Sequence, residues 1–127
     1  MSVDRLKRDL LNKLIDVRID LAAYLQLRKA KGYMSVSESE HLRDNLFELC
    51  NFMREKAPTL KAEFDESERI ALRRAAETLS VAGVCLMNGH HDCPTFIAVN
   101  ADKLENCLTT ISLCIMCLNK QEKLEQH

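Results

Sequence analysis

Between Val3 and Lys31, Leu6, Leu10, Leu14, Val17, Leu21 and Tyr24 recur at spacings of three and four residues, the period of one helix face. Leu11, Ile15, Ala22 and Leu25 widen that face, while Arg5, Arg8, Asp9, Lys13, Asp16 and Asp20 keep the opposite side wet. The pattern predicts one long helix over residues 3–31. Arg28, Lys29 and Lys31 place cations at the negative end of its dipole, and Gly32 supplies a residue suited to a left-handed cap.

A second helix is expected from residue 36, because Ser35 with Glu38 and Ser37 with Glu40 form two overlapping capping boxes. Leu42, Leu46, Leu49, Cys50 and Met53 are its apolar stripe. Pro58 is expected to end it at residue 57, since the residue before a proline is pushed out of the helical region. A connector from Thr59 to Phe64 leads to a third capping box, Asp65 with Glu68. The third helix, 65–87, carries Ile70, Leu72, Ala75, Leu79, Ala82 and Leu86. Ala71, Ala75, Ala76, Ala82 and Gly83 keep that helix shallow, so that a neighbour can approach closely. Asn88 and Gly89 close it, and a 12-residue loop runs from Asn88 to Val99. Asn100 can cap a fourth helix over 101–123, whose centre from Cys107 to Leu118 is apolar on nearly every face. A helix apolar all round is one buried all round, so helix 4 is expected either at the centre of the bundle or in a subunit interface. The predicted architecture is all-α, an antiparallel four-helix bundle forming a single domain over 1–127.

Composition narrows the alternatives. Three glycines, two prolines and no tryptophan leave little material for a turn-rich β fold, and 46% apolar with 29% charged residues is an ordinary globular balance. The formal net charge of −1 argues against a protein selected for polyanions or membrane surfaces. Charge is distributed unevenly. Residues 1–34 hold eight Lys and Arg against four Asp and Glu, whereas residues 35–70 hold five against nine. Such complementary segments suggest helix 1 lying against helix 2, within one chain or between two. The longest nearly uncharged stretch, Asn106 to Asn119, is shorter than the ~20 residues a bilayer demands. With a charged amphipathic start in place of a secretory leader, a cytoplasmic protein is expected.

Several residues invite chemical readings. Cys85, His90, His91 and Cys93, with Cys107 on helix 4, have the right ligand types for Zn²⁺, although their spacing matches no finger or ribbon. Ordinary core thiols around a surface loop are the stronger reading, because Cys packs as a small hydrophobe. Cys114 and Cys117 resemble a redox pair in spacing, but lie deep in a helix where its dipole does not favour a thiolate. His90 or His91 beside Cys93 lacks a third orienting group for nucleophilic catalysis. His41 is expected on a polar helix face and His127 in a terminal tail. The Glu38 and His41 pair stands at a capping position with no second copy, which excludes a ferritin-like di-metal centre. Arg5, Lys7, Arg8, Lys13 and Arg18, with Arg28, Lys29 and Lys31, are interleaved with acids at Asp4, Asp9, Asp16 and Asp20, a pattern that suits a salt-bridged face better than a nucleic-acid site.

No cofactor or catalytic residue is therefore expected. The reading that remains is a non-enzymatic, protein-binding helical module, a small regulatory or accessory protein acting as a homodimer and on a further protein partner. Expected contact residues are His90, His91, Phe96 and Ile97 in the loop and Ile111, Ile115 and Leu118 on helix 4. The alternatives are a metal- or thiol-dependent regulator built on Cys85, His90, His91 and Cys93, and a nucleic-acid-associated factor.

Overall fold

The computed structural model describes residues 2–32, 34–87, 90–93, 96–98 and 100–125, with side chains at 5–32, 34–60, 62, 64–86 and 100–119. Four helices account for most of them: α1 (Ser2–Lys31), α2 (Val36–Glu63), α3 (Glu66–Met87) and α4 (Ala101–Glu125). Strand β1 (Met34–Ser35) lies between α1 and α2, and β2 (His90–Cys93) and β3 (Phe96–Ala98) lie between α3 and α4.

Local chemistry sets most helix ends. The Gly32 N–H donates to the Arg28 carbonyl with Gly32 at φ +82°, the left-handed conformation that closes α1 at little steric cost. Of the two overlapping boxes before α2, Ser35 with Glu38 is the one used: the Glu38 N–H donates to Ser35 Oγ at 3.0 Å and the Ser35 N–H to Glu38 Oε2 at 3.5 Å. At α3 the Glu68 N–H donates to Asp65 Oδ1 at 2.8 Å and the Asp65 N–H to Glu68 Oε1 at 3.1 Å. Asn100 Oδ1 accepts from the Lys103 N–H at 3.1 Å and caps α4. Asp65→Ala should lower stability by about 1 kcal/mol, the usual value of an N-cap, and the thermal midpoint by a few degrees. Exposed Ser37 makes no such bond, so Ser37→Ala should leave the midpoint unchanged in the same calorimetric comparison.

Pro58 does not end α2, contrary to the sequence expectation: the helix runs through it to Glu63, leaving a turn of Phe64 and Asp65 in place of the Thr59–Phe64 connector. Proline removes the N–H that would bond the Arg54 carbonyl and crowds the preceding turn. Both Pro58 and Arg54 are on the exposed face, where water can serve that carbonyl. Leu60 and Phe64, one turn apart beyond the proline, are both buried in the core. Their burial holds the last turns helical against the local preference, and the Phe64 N–H donating to the Leu60 carbonyl at 3.0 Å closes the helix.

The helices pack in a ring, α1 on α2, α2 on α3, α3 on α4 and α4 back on α1, the arrangement of an antiparallel four-helix bundle. Leu10, Leu14 and Leu21 of α1, Leu46 of α2, Leu79 of α3 and Leu104 and Ile111 of α4 belong to one continuous core. A polar pair sits at its edge: the Tyr24 hydroxyl shares a 2.8 Å hydrogen bond with Ser39 Oγ, which also donates to the Ser35 carbonyl at 3.1 Å. Burial pushes the Tyr24 hydroxyl pKa up, with Ser39 opposing, so the pair is neutral across the physiological range. The shallow face of α3 works as expected at Gly83, where a Cβ would stand 2.6 Å from the Phe47 ring of α2.

The expected loop from Asn88 to Val99 contains secondary structure. β3 pairs antiparallel with β1, Met34 opposite Ile97 and Ser35 opposite Phe96, and with β2 on its other side, giving the order β1-β3-β2. The β2 register shifts between His90 and Cys93. This small sheet ties the α1–α2 connector to the α3–α4 connector at one end of the bundle.

Candidate functional site

At the sheet end, Cys85 and Cys107 are the members of the predicted Cys/His cluster whose side chains are described. Cys85 is half-buried near the end of α3 and directs its thiol to the Asn100 carbonyl at 3.7 Å, linking α3 to the start of α4. Cys107 is buried; desolvation pushes its pKa up, nearby Cys85 adds to that rise and Lys103 opposes it. The backbones of His90, His91 and Cys93 form β2, while their side chains lie outside the described residues. Among the described residues no group of three or more His, Cys, Asp or Glu is placed to hold a metal ion. A weak thiol hydrogen bond and β pairing secure the α3–α4 connector. Phe96 and Ile97 lie on the central strand with their backbones turned onto the α1–α2 connector; their side chains too are outside the described set.

On α4 the placement of the expected contact residues needs correcting. Ile111, Ile115 and Leu118 are core residues, with Ile111 at 0% exposure. A contact surface cannot be built from side chains already covered within the chain. One helix of a four-membered ring buries one face, and α4 turns Leu104, Cys107, Ile111, Cys114, Ile115 and Leu118 inward. Among the described residues its outward large apolar side chains are Leu113 and Met116, 60% and 64% exposed and one turn apart. Cys114 is buried and Cys117 half-buried. Burial raises the Cys114 pKa against the opposing field of Arg74, and Cys117 raises it further, which keeps the thiol protonated at neutral pH and works against a redox role.

The basic residues of α1 rest partly on their own bundle. Lys7 Nζ stands 4.7 Å from the Phe64 ring centroid, Lys13 Nζ 5.1 Å from that of Phe52, and Lys31 Nζ 3.3 Å from Glu38 Oε1. The opposed charges of the first two segments do not simply face each other: the α1–α2 groove gathers Asp16, Asp20, Glu48 and Glu55 around Lys13. His41 is exposed, and His127 lies outside the described residues.

Sequence reading missed a groove between α2 and α3, about 610 Å³ in volume. Met53, Leu60 and Leu72 form a buried floor, Phe47, Cys50, Ala57 and Ala76 half-buried walls, and Arg54, Arg69 and Arg73 an exposed basic rim. The Cys50 thiol reaches the Ala76 carbonyl at 3.9 Å across the two helices, and burial raises its pKa against Arg54. The available signal was Arg54, Arg69 and Arg73 falling just either side of the α2–α3 turn. It was obscured by ending helix 2 at residue 57.

The fold and these surfaces define a small all-α bundle with a solvent-open groove, and among the described residues no helix is long and apolar enough to cross a membrane. The chain belongs to the family of biofilm formation proteins termed YliH/bssR, whose family model matches residues 1–126. It is 60% identical over 126 residues to the biofilm regulator BssR of Escherichia coli (strain K12), with 99% of each chain covered. The proteins of the same name from Escherichia coli O157:H7 and Shigella flexneri match with the same identity and coverage. These relatives are named as regulators, and none of the three as an enzyme. No solved structure matches the chain.

Proposed function

We propose that this chain is a non-enzymatic, cytoplasmic regulator of biofilm formation that acts by protein–protein contact, as a homodimer and on a further protein partner. The observation that carries the contact reading is the apolar outer surface of α3 and α4. Leu113 and Met116 face solvent one turn apart on α4, as do Val81 and Val84, each 45% exposed, on α3. Large apolar side chains grouped on an outer face gain free energy when another surface covers them. The edge strand β2, with His90 and His91, and the neighbouring Phe96 and Ile97 of β3 supply a second contact element. An unpaired strand edge offers backbone groups to a partner.

Size exclusion with light scattering tests the assembly. The wild-type chain should elute at the mass of a dimer, and the double variant Leu113→Glu, Met116→Glu at that of a monomer with the same helical circular dichroism. A wild-type monomer at every concentration would sink the homodimer. Complementation tests the process: expressed in place of the 60%-identical regulator of Escherichia coli K12, the chain should restore the parent's biofilm mass. Failure of a folded, expressed chain to do so would count against a shared role.

A further inference from the structure

We infer that the α2–α3 groove is a binding site for a small amphiphilic anion, a molecule with one apolar chain or ring and a carboxylate or phosphate head. Its volume of about 610 Å³ is that of an ordinary small-molecule site, and its buried apolar floor is of the kind that holds a ligand's body. The antiparallel register, with Phe47 against Gly83 and Cys50 against Ala76, places the elements along the groove. Arg54, Arg69 and Arg73 gather in the half nearest the Phe64–Asp65 turn, and Phe47 and Ser80 stand at the other end. A ligand would therefore lie along the groove with its head toward the turn and its apolar end toward Phe47.

The charge pattern selects the class of ligand. Among the described residues, three arginines and no carboxylate line the groove of a chain whose net charge is −1. Arg69 already donates through Nε to the Phe64 carbonyl at 2.9 Å, which holds its guanidinium at the turn. Among the described residues, no carboxylate pairs with Arg54 or Arg73. Guanidinium groups present a planar fork of donors that fits carboxylate and phosphate alike. Asn51 and Ser80 add neutral polar groups to the rim. The Cys50 thiol, protonated at neutral pH because burial raises its pKa, adds no negative charge to repel an anion. Gly83 has a part in the shape, because a side chain there would displace the Phe47 ring from the apolar end.

Isothermal titration of the full chain with decanoate, decyl phosphate and decanol, each below its micelle concentration, tests the inference. At least one of the two anions should bind with saturable one-to-one stoichiometry, and the better of them identifies the head group. Shortening its chain should weaken binding by about fourfold per methylene, as expected for an apolar body leaving water. The double variant Arg54→Gln, Arg73→Gln should weaken the anion about tenfold, a modest figure because the rim is exposed and each ion pair there is screened. Ala76→Met, which narrows the groove from its wall and leaves every arginine in place, should weaken it as well. Thermal melting of the variants checks that the bundle is intact. The inference is overturned if neither anion binds, if decanol binds as tightly as the anions, or if the folded arginine double variant binds as the wild type does.

Discussion

Replacing Ile111 by alanine should lower the unfolding free energy by about 3 kcal/mol, the usual loss when a fully buried aliphatic side chain is cut back and the surroundings collapse only in part. Alanine's better helix propensity returns only a few tenths of a kcal/mol, so the cavity decides the sign. Leu113→Ala, two residues along the same helix, should change the monomer's stability by less than about 0.5 kcal/mol because its side chain is largely in water. Urea titration of both variants, with unchanged denaturant slopes, measures the contrast. Comparable losses at the two positions, or an Ile111→Ala loss below about 1 kcal/mol, would mean that α4 is rotated from the orientation described.

The second large effect has the opposite sign. Pro58→Ala should stabilise the chain by about 2 kcal/mol. An interior proline costs a helix about 3 kcal/mol through its missing N–H and its clash with the preceding turn, while alanine makes the unfolded chain more flexible and returns up to about 1 kcal/mol of that gain. No packing is lost, because Pro58 is exposed. The restored N–H bonds the Arg54 carbonyl and completes the ladder between the halves of α2. Destabilisation by Pro58→Ala would contradict a continuous helix and restore the proline to the role of a stop. Leu60→Ala provides the companion measurement: as a core residue beyond the proline it should cost about 3 kcal/mol, a value a connector residue would not show.

These two positions also mark where the sequence was legible and where it was not. The four helices, the Gly32 cap, the Ser35, Asp65 and Asn100 caps and the inward stripe of α1 follow from signals within a few residues of each other, and the structure realises each of them. The end of α2 does not follow. Pro58 is a strong local signal, and it is overridden by the burial of Leu60 and Phe64 against elements remote in the chain. The composition of α4 had a similar effect. Apolar residues on every side suggested burial on every side, whereas a place in a ring leaves Leu113 and Met116 in solvent. The strands were hidden for another reason. His90–Cys93 and Phe96–Ala98 are short and poor in alternation, and β3 takes its partner from the distant Met34 and Ser35. The α2–α3 groove depends on the relative register of two helices, which periodicity along one chain does not encode.

The pairing of Met34 and Ser35 with Ile97 and Phe96 makes the molecule mechanically lopsided. At the sheet end both crossovers are stitched by main-chain hydrogen bonds, so prising the helices apart there must break side-chain packing and a strand ladder together. At the far end the covalent strap joins α2 to α3 through Phe64 and Asp65. The ladder thus acts as a main-chain brace on the two crossovers, so a substitution that unzips β3 from β1 would loosen the α1–α2 and α3–α4 connections at once.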